Sequence, residues 1–187
     1  QGRITMKTLG TIQKLYKIGK ILSRIAFIIS VIGFCGCIAA LLSLGIGNGS
    51  LIKIGGVTLH GLISDDLGYN IRSIGAALSG WLFVCAGEAV VAKFAEIYFK
   101  NELKAGTPFT LDGAGELLRL GIITVAVPVG CELAGSIAMG IIAGFMRIAE
   151  ADMHSDSSAS IALGVMFIII SLLCRYGAEL RENVRPE

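Results

Sequence analysis

Residues 25–46 read IAFIISVIGFCGCIAALLSLGI, and no charged side chain stands between Arg24 and Lys53. A helix needs about 20 apolar residues to cross the hydrocarbon core of a bilayer. A soluble fold has little means of hiding such a run. The stretch therefore predicts a first membrane-spanning helix over residues 25–46. Its basic lead is long, and its apolar run exceeds the about 7–15 residues of a signal-peptide core. No small-x-small cleavage site follows at residues 44–50, so the helix reads as retained, with Met6 a candidate start of translation.

The same pattern recurs three times. Glu88 is the only charge between Arg72 and Lys93, and Glu132 the only one between Arg119 and Arg147; none stands between Asp156 and Arg175. These intervals predict spans over residues 72–93, 119–146 and 157–175. The second helix is expected to continue to about residue 104, because Phe94, Ile97 and Tyr98 keep an apolar face and Glu96 with Lys100 forms an i,i+4 pair. Gly106-Thr107-Pro108 should stop it, and Thr110 or Asp112 can cap the next helix. The expected architecture is an all-α membrane protein, one membrane domain of four transmembrane helices over residues 1–187.

Composition agrees. Of 187 residues, 54% are hydrophobic, 25 are glycine and only 16% are charged. Mean hydropathy is +0.77. With glycine, the apolar share is about two-thirds, against about 45–50% in soluble domains. A net charge of +2 gives no footprint for direct nucleic-acid binding. Thirteen of the sixteen basic residues fall in the leader, the middle loop and the tail; only Lys53, Arg72 and Arg147 lie in the other two loops. The positive-inside rule then places both termini and the middle loop in the cytoplasm. Tyr16, Tyr69, Tyr98 and Tyr176 stand at predicted span ends, where amphipathic rings belong.

The leader is amphipathic. Leu9, Ile12, Leu15, Tyr16, Ile18 and Leu22 share one half of a helical wheel; Lys7, Lys14, Lys17, Lys20 and Arg24 share the other. This predicts an interfacial helix that turns into the membrane, with a partner-binding helix as the alternative. In the first loop, two short alternating runs around Gly55-Gly56 suggest a small external β-hairpin.

Gly106-Thr107-Pro108-Phe109-Thr110, followed by Leu118-Arg119-Leu120-Gly121 at the start of a membrane helix, resembles the signature of a bacterial integral membrane protein family of unknown function. Gly113 stands where that family commonly has Asn. The tail Arg175-Tyr176-Gly177-Ala178-Glu179-Leu180 is similar to the family's closing motif. The resemblance implies four membrane helices in a plasma (inner) membrane. Members are often encoded beside a small helix-turn-helix regulator, which implies a role in membrane-linked control through a cytoplasmic DNA-binding partner. It implies no catalytic residues.

Chemistry inside the spans rests on two acids. An ionisable residue in a bilayer is costly and is a functional-site hypothesis by default. Glu132 falls near mid-membrane, one turn after Pro128, whose missing donor frees the carbonyl of Thr124. Glu88 lies nearer the inner face and can snorkel or pair with Lys93. Together Glu132, Glu88, Pro128 and Thr124 form a candidate polar site. A structural reading competes with it: Glu132, Ser136, Gly140 and Gly144 recur every four residues, as a ridge for close helix packing. Gly75 with Ser79, Ala76 with Gly80, and Ser160 with Gly164 offer matching surfaces.

His60, Asp65, Asp66, Asp152, His154 and Asp156 lie in the two external loops, a candidate ion or pH site whose spacing matches no metal motif. No cofactor is expected. All five cysteines sit in apolar segments and read as small packing residues. Both histidines lie outside the spans and no phosphate-binding glycine loop is present, so a bis-histidine haem protein, a His-dependent intramembrane protease and a P-loop nucleotide-binding protein are excluded. Three functional readings stay open, none enzymatic. The first is a regulatory or sensory module holding a cytoplasmic partner. The second is a small transporter or channel, built as a homo-oligomer around Glu132 and Glu88. The third is immunity against a membrane-active peptide.

Overall fold

The computed structural model describes residues 2–47, 53–54, 57–58, 71–105, 110–146 and 157–183. Four helices account for nearly all of them: α1 (Gly2–Gly47), α2 (Ile71–Ala105), α3 (Leu111–Met146) and α4 (Ser158–Asn183). Between α1 and α2, strands β1 (Lys53–Ile54) and β2 (Val57–Thr58) pair antiparallel, Lys53 opposite Thr58 and Ile54 opposite Val57. This ladder adds no layer to the architecture. All four helices are long and apolar enough to cross a membrane. The protein is a multi-pass helical membrane protein.

Two helices differ from expectation, and the capped start of a third agrees with it. The leader does not form a separate interfacial helix; α1 runs unbroken from Gly2 to Gly47. Residues Ile12, Tyr16, Gly19, Ser23, Phe27 and Ser30 form one less-exposed stripe, and the leader packs on the protein, with Gly19 and Tyr16 against Phe99. Leu15, Ile18 and Leu22, placed on the same apolar half-wheel, face outward. The third helix starts at Leu111, ahead of the charge-free span, and Thr110, one of the two expected caps, caps it. The Thr110 Oγ1 accepts the Gly113 N–H at 3.0 Å and the Thr110 carbonyl accepts the Ala114 N–H at 3.0 Å. Asp112 sits in the first turn, where its charge suits the helix dipole, but it is not the cap. The fourth helix continues to Asn183, eight residues beyond the expected end, with Arg175 and Glu179 paired at i,i+4, 3.1 Å apart.

The chain divides into two compact units. The first comprises Gln1–Ile28, Ala89–Val127 and Ser157–Glu187; the second comprises Ile29–Glu88 and Pro128–Asp156. In the first unit Tyr98, Leu117 and Leu120 form the core, with Phe94, Ala95, Phe99 and Phe167 packed against it. There α3 and α4 run antiparallel at backbone contact. A Cβ on Gly121 would lie 3.0 Å from the Gly164 carbonyl oxygen, and one on Gly164 would lie 2.9 Å from the Gly121 carbonyl oxygen. The Ser171 hydroxyl donates to the Ala114 carbonyl at 2.7 Å, fixing the same pair further along.

Among the described residues of the second unit, those buried are small, namely Ser30, Ala40, Ser43, Ala76, Ser79, Gly80, Gly87 and Gly135, with Met139 the one large side chain. Large apolar residues point outward, Phe145 at 91% exposure being the extreme. Without a hydrophobic drive between helices in lipid, association depends on close backbone approach, which small inward residues permit. The closest approach joins α2 to α3: a Cβ on Gly135 would stand 2.8 Å from the Gly80 carbonyl oxygen. Helices α1 and α2 run antiparallel, with Gly33 against Cys85 and Leu44 against Gly75.

Candidate functional site

Among the described residues the buried acid is neither Glu88 nor Glu132. Glu102, on the last turn of α2, is 3% exposed, and its Oε2 has no hydrogen-bond partner. The α2 face that buries Tyr98 also carries Glu102, four residues on. The carboxyl lies at the capped start of α3, with Oε1 directly over Gly113, where any Cβ would overlap it. Aromatic rings line the same part of the unit. The Tyr16 and Tyr98 rings meet edge-on with centroids 6.5 Å apart, and Phe99 lies 5.4 Å from Tyr98 and 6.1 Å from Tyr16. Tyr98 is therefore a core residue and not an interfacial ring; Tyr176 is exposed.

Two clefts open in this first unit. One, of about 100 Å³, lies between α2 and α3 among Phe94, Tyr98, Asn101, Glu116, Arg119 and Leu120. The Arg119 guanidinium sits 5.8 Å from the Phe94 ring centre, and the Asn101 amide donates to both Glu116 oxygens at 3.0 and 3.1 Å. The other, of about 280 Å³, lies between the start of α3 and the end of α4, with Asp112, Gly115, Leu118, Leu172, Arg175 and Glu179 around it. Apolar walls with a few charges of both signs are the composition of a recognition groove.

The sequence-predicted acids occupy other settings. Glu88 is exposed and accepts a long 3.4 Å hydrogen bond from the Ser30 hydroxyl. It does not pair with Lys93. Lys93 instead bonds Glu96 at 2.8 Å, one turn along its own helix, and lies 5.1 Å from the Phe27 ring centre. The i,i+3 contact thereby replaces the expected Glu96–Lys100 pair. Glu132 is half-buried and Pro128 lies within the unbroken α3. Thr124 is buried, and its hydroxyl donates to the Leu120 carbonyl at 2.8 Å.

The expected packing ridge is corrected in the same way. Ser136, Gly140 and Gly144 are exposed, and a Cβ on either glycine would meet nothing within 4 Å. The face of α3 that packs carries Gly121, Thr124, Gly135 and Met139. A strict four-residue repeat drifts about 40° around the helix at each step, so the ridge turns away from the neighbouring helices. Of the matching surfaces, Ala76, Ser79, Gly80 and Gly164 are buried, whereas Gly75 and Ser160 are half-exposed. The Ser79 hydroxyl is satisfied by the Ala76 carbonyl at 2.5 Å.

Within the signature turn, Thr110 is the cap, while Gly106, Pro108 and Phe109 lie outside the described residues. His60, Asp65, Asp66, Asp152, His154 and Asp156 lie outside them too. Among the described residues no group of three His, Cys, Asp or Glu side chains could hold a metal ion. Compared with protein-family models, with curated proteins and with solved structures, the chain finds no match in any of the three.

Proposed function

We propose that this chain is a non-enzymatic bacterial inner-membrane protein with both termini in the cytoplasm, acting as a regulatory or sensory module on a soluble cytoplasmic partner. The β1–β2 ladder then belongs to an external hairpin. The observation that carries the reading is the cleft between α3 and α4. Residues far apart in sequence, Asp112 and Leu118 on one helix and Arg175 and Glu179 on the other, line one opening of about 280 Å³. Leu118 and Arg175 belong to the two stretches that carry the family resemblance. The exposed Arg175–Glu179 pair contributes about 0–1 kcal/mol to stability, so its charges are available for recognition at little structural cost.

The test is photocrosslinking from position 115 in native membranes. Gly115 is exposed at the rim of the cleft, and a side chain there meets nothing within 4 Å. A small cytoplasmic protein captured from position 115, and lost when Arg175 and Glu179 are both replaced by Ala, supports the reading. Absence of any cytoplasmic protein under all growth conditions counts against it.

One observation favours the alternative of a small oligomeric transporter. The outward small residues Ser136, Gly140 and Gly144 share α3 with the half-buried Glu132, a surface suited to a second copy. Solute flux in liposomes that stops on Glu132→Gln would support it, and absence of flux from the unmodified protein would reject it.

A further inference from the structure

In the second unit two cysteines from different helices come together. The Cys85 sulfur rests on α1 at Gly33, where a Cβ would stand only 3.2 Å from it, and the Cys85 and Cys37 thiols interact electrostatically. Gly33 and Cys37 are one helical turn apart, so the Cys85 thiol sits on the α1 face that carries both. The absence of a side chain at Gly33 makes this approach possible. One turn along α2 from Cys85 stands Glu88, with the Ser30 hydroxyl 3.4 Å from its Oε2. All five cysteines are free thiols, and Cys35 faces outward, away from the pair.

We infer that Cys37 and Cys85 form an oxidisable dithiol, a modification site at which a lipid-soluble two-electron oxidant of the quinone class closes a disulfide between α1 and α2. Two S–H bonds break and one S–S bond forms; the quinone takes up the two electrons and two protons and leaves as the quinol. Attack on an oxidant proceeds through the thiolate, and both thiol protons pass to the quinone oxygens as the quinol forms. The product is neutral. That matters in a segment long and apolar enough to cross a bilayer, where a charged product such as a bis-thiolate complex of a monovalent metal would carry a desolvation cost. Both thiols are half-exposed on the helix pair, open to an oxidant dissolved in the lipid. The inference is independent of the cytoplasmic partner proposed above.

The test uses the full chain in neutral phosphatidylcholine vesicles, treated with a decyl-substituted benzoquinone and digested without reduction for mass spectrometry. The expected product is one peptide pair joined through Cys37 and Cys85. It should vanish on adding dithiothreitol, persist when Cys35, Cys131 and Cys174 are all replaced by Ser, and be lost entirely in Cys37→Ser. A water-soluble oxidant supplied in the aqueous phase should give several-fold less cross-link in the same time. The helical circular dichroism of each variant confirms that it is folded. The inference is overturned if folded protein yields no Cys37–Cys85 link, if only single-thiol quinone adducts form, if Cys35-linked dimers are the main product, or if the water-soluble oxidant is equally fast.

Discussion

Gly135→Ala places a methyl group at the tightest backbone crossing of the second unit. The new Cβ would stand 2.8 Å from the Gly80 carbonyl oxygen, 3.3 Å from its Cα and 3.4 Å from its carbonyl carbon, where ordinary contact begins at 3.4 Å. All three neighbours are backbone atoms, so no rotamer change relieves the overlap. The helices must separate by roughly half an ångström, which forfeits about a quarter of the dispersion well of every atom pair along the crossing. Overpacking of this kind costs about 1–3 kcal/mol. Exchanging glycine for alanine in a helix returns about 0.5–1 kcal/mol, leaving a net loss of about 1–2 kcal/mol. Gly140→Ala, one turn and a half further along α3, meets nothing within 4 Å and should keep the whole helix gain. The helix gain is common to both, so the two variants should differ by the overpacking cost, about 1–3 kcal/mol, with Gly135→Ala the less stable. Titration from mild detergent into dodecyl sulfate measures this, followed by helical circular dichroism and by emission of the single tryptophan, Trp81, which adjoins Gly80. If Gly135→Ala is as stable as Gly140→Ala, the Gly80–Gly135 crossing is not a packing contact and the reasoning fails.

Other substitutions test the remaining contacts. Thr110→Ala removes the α3 cap and should cost about 0.5–2 kcal/mol in the same titration, whereas Asp112→Ala should cost clearly less. Gly113→Ala should destabilise by driving Glu102 off the start of α3, and much less so when combined with Glu102→Ala; a double-mutant coupling of about 0.5–3 kcal/mol is expected, and additivity would deny the contact. Arg175→Ala should leave the unfolding midpoint within about 1 kcal/mol of the parent while abolishing crosslinking from position 115.

The four helices were legible because charge is excluded from hydrocarbon, so the intervals between Arg24 and Lys53, or Asp156 and Arg175, announce themselves without any partner. The continuity of α1 was not, because it is fixed by tertiary packing. Tyr16 leaves the half-wheel it shares with Leu15 and Leu22 only by docking on Tyr98 and Phe99. Glu102 was missed because the acids considered were those inside charge-free intervals, and it stands among Lys100 and Lys104 like a solvated residue. Its spacing of four from Tyr98 is the signal that would have found it. The ridge from Glu132 to Gly144 shows the opposite failure: a true periodicity, but of a face that meets no other helix among the described residues.

The cap at Thr110 and the short connection before it also bear on how the chain is made. Only residues 106–110 separate α2 from α3, against 48–70 between α1 and α2 and 147–157 between α3 and α4. Closing a short loop costs little entropy, and the contacts across it are near in sequence: Glu102 meets Gly113, and Asn101 bonds Glu116 fifteen residues on. The α2–α3 hairpin can thus be complete while α4 is still in the ribosome. Gly121 and Val125 on α3 then stand as the groove that receives Gly164 of the last helix.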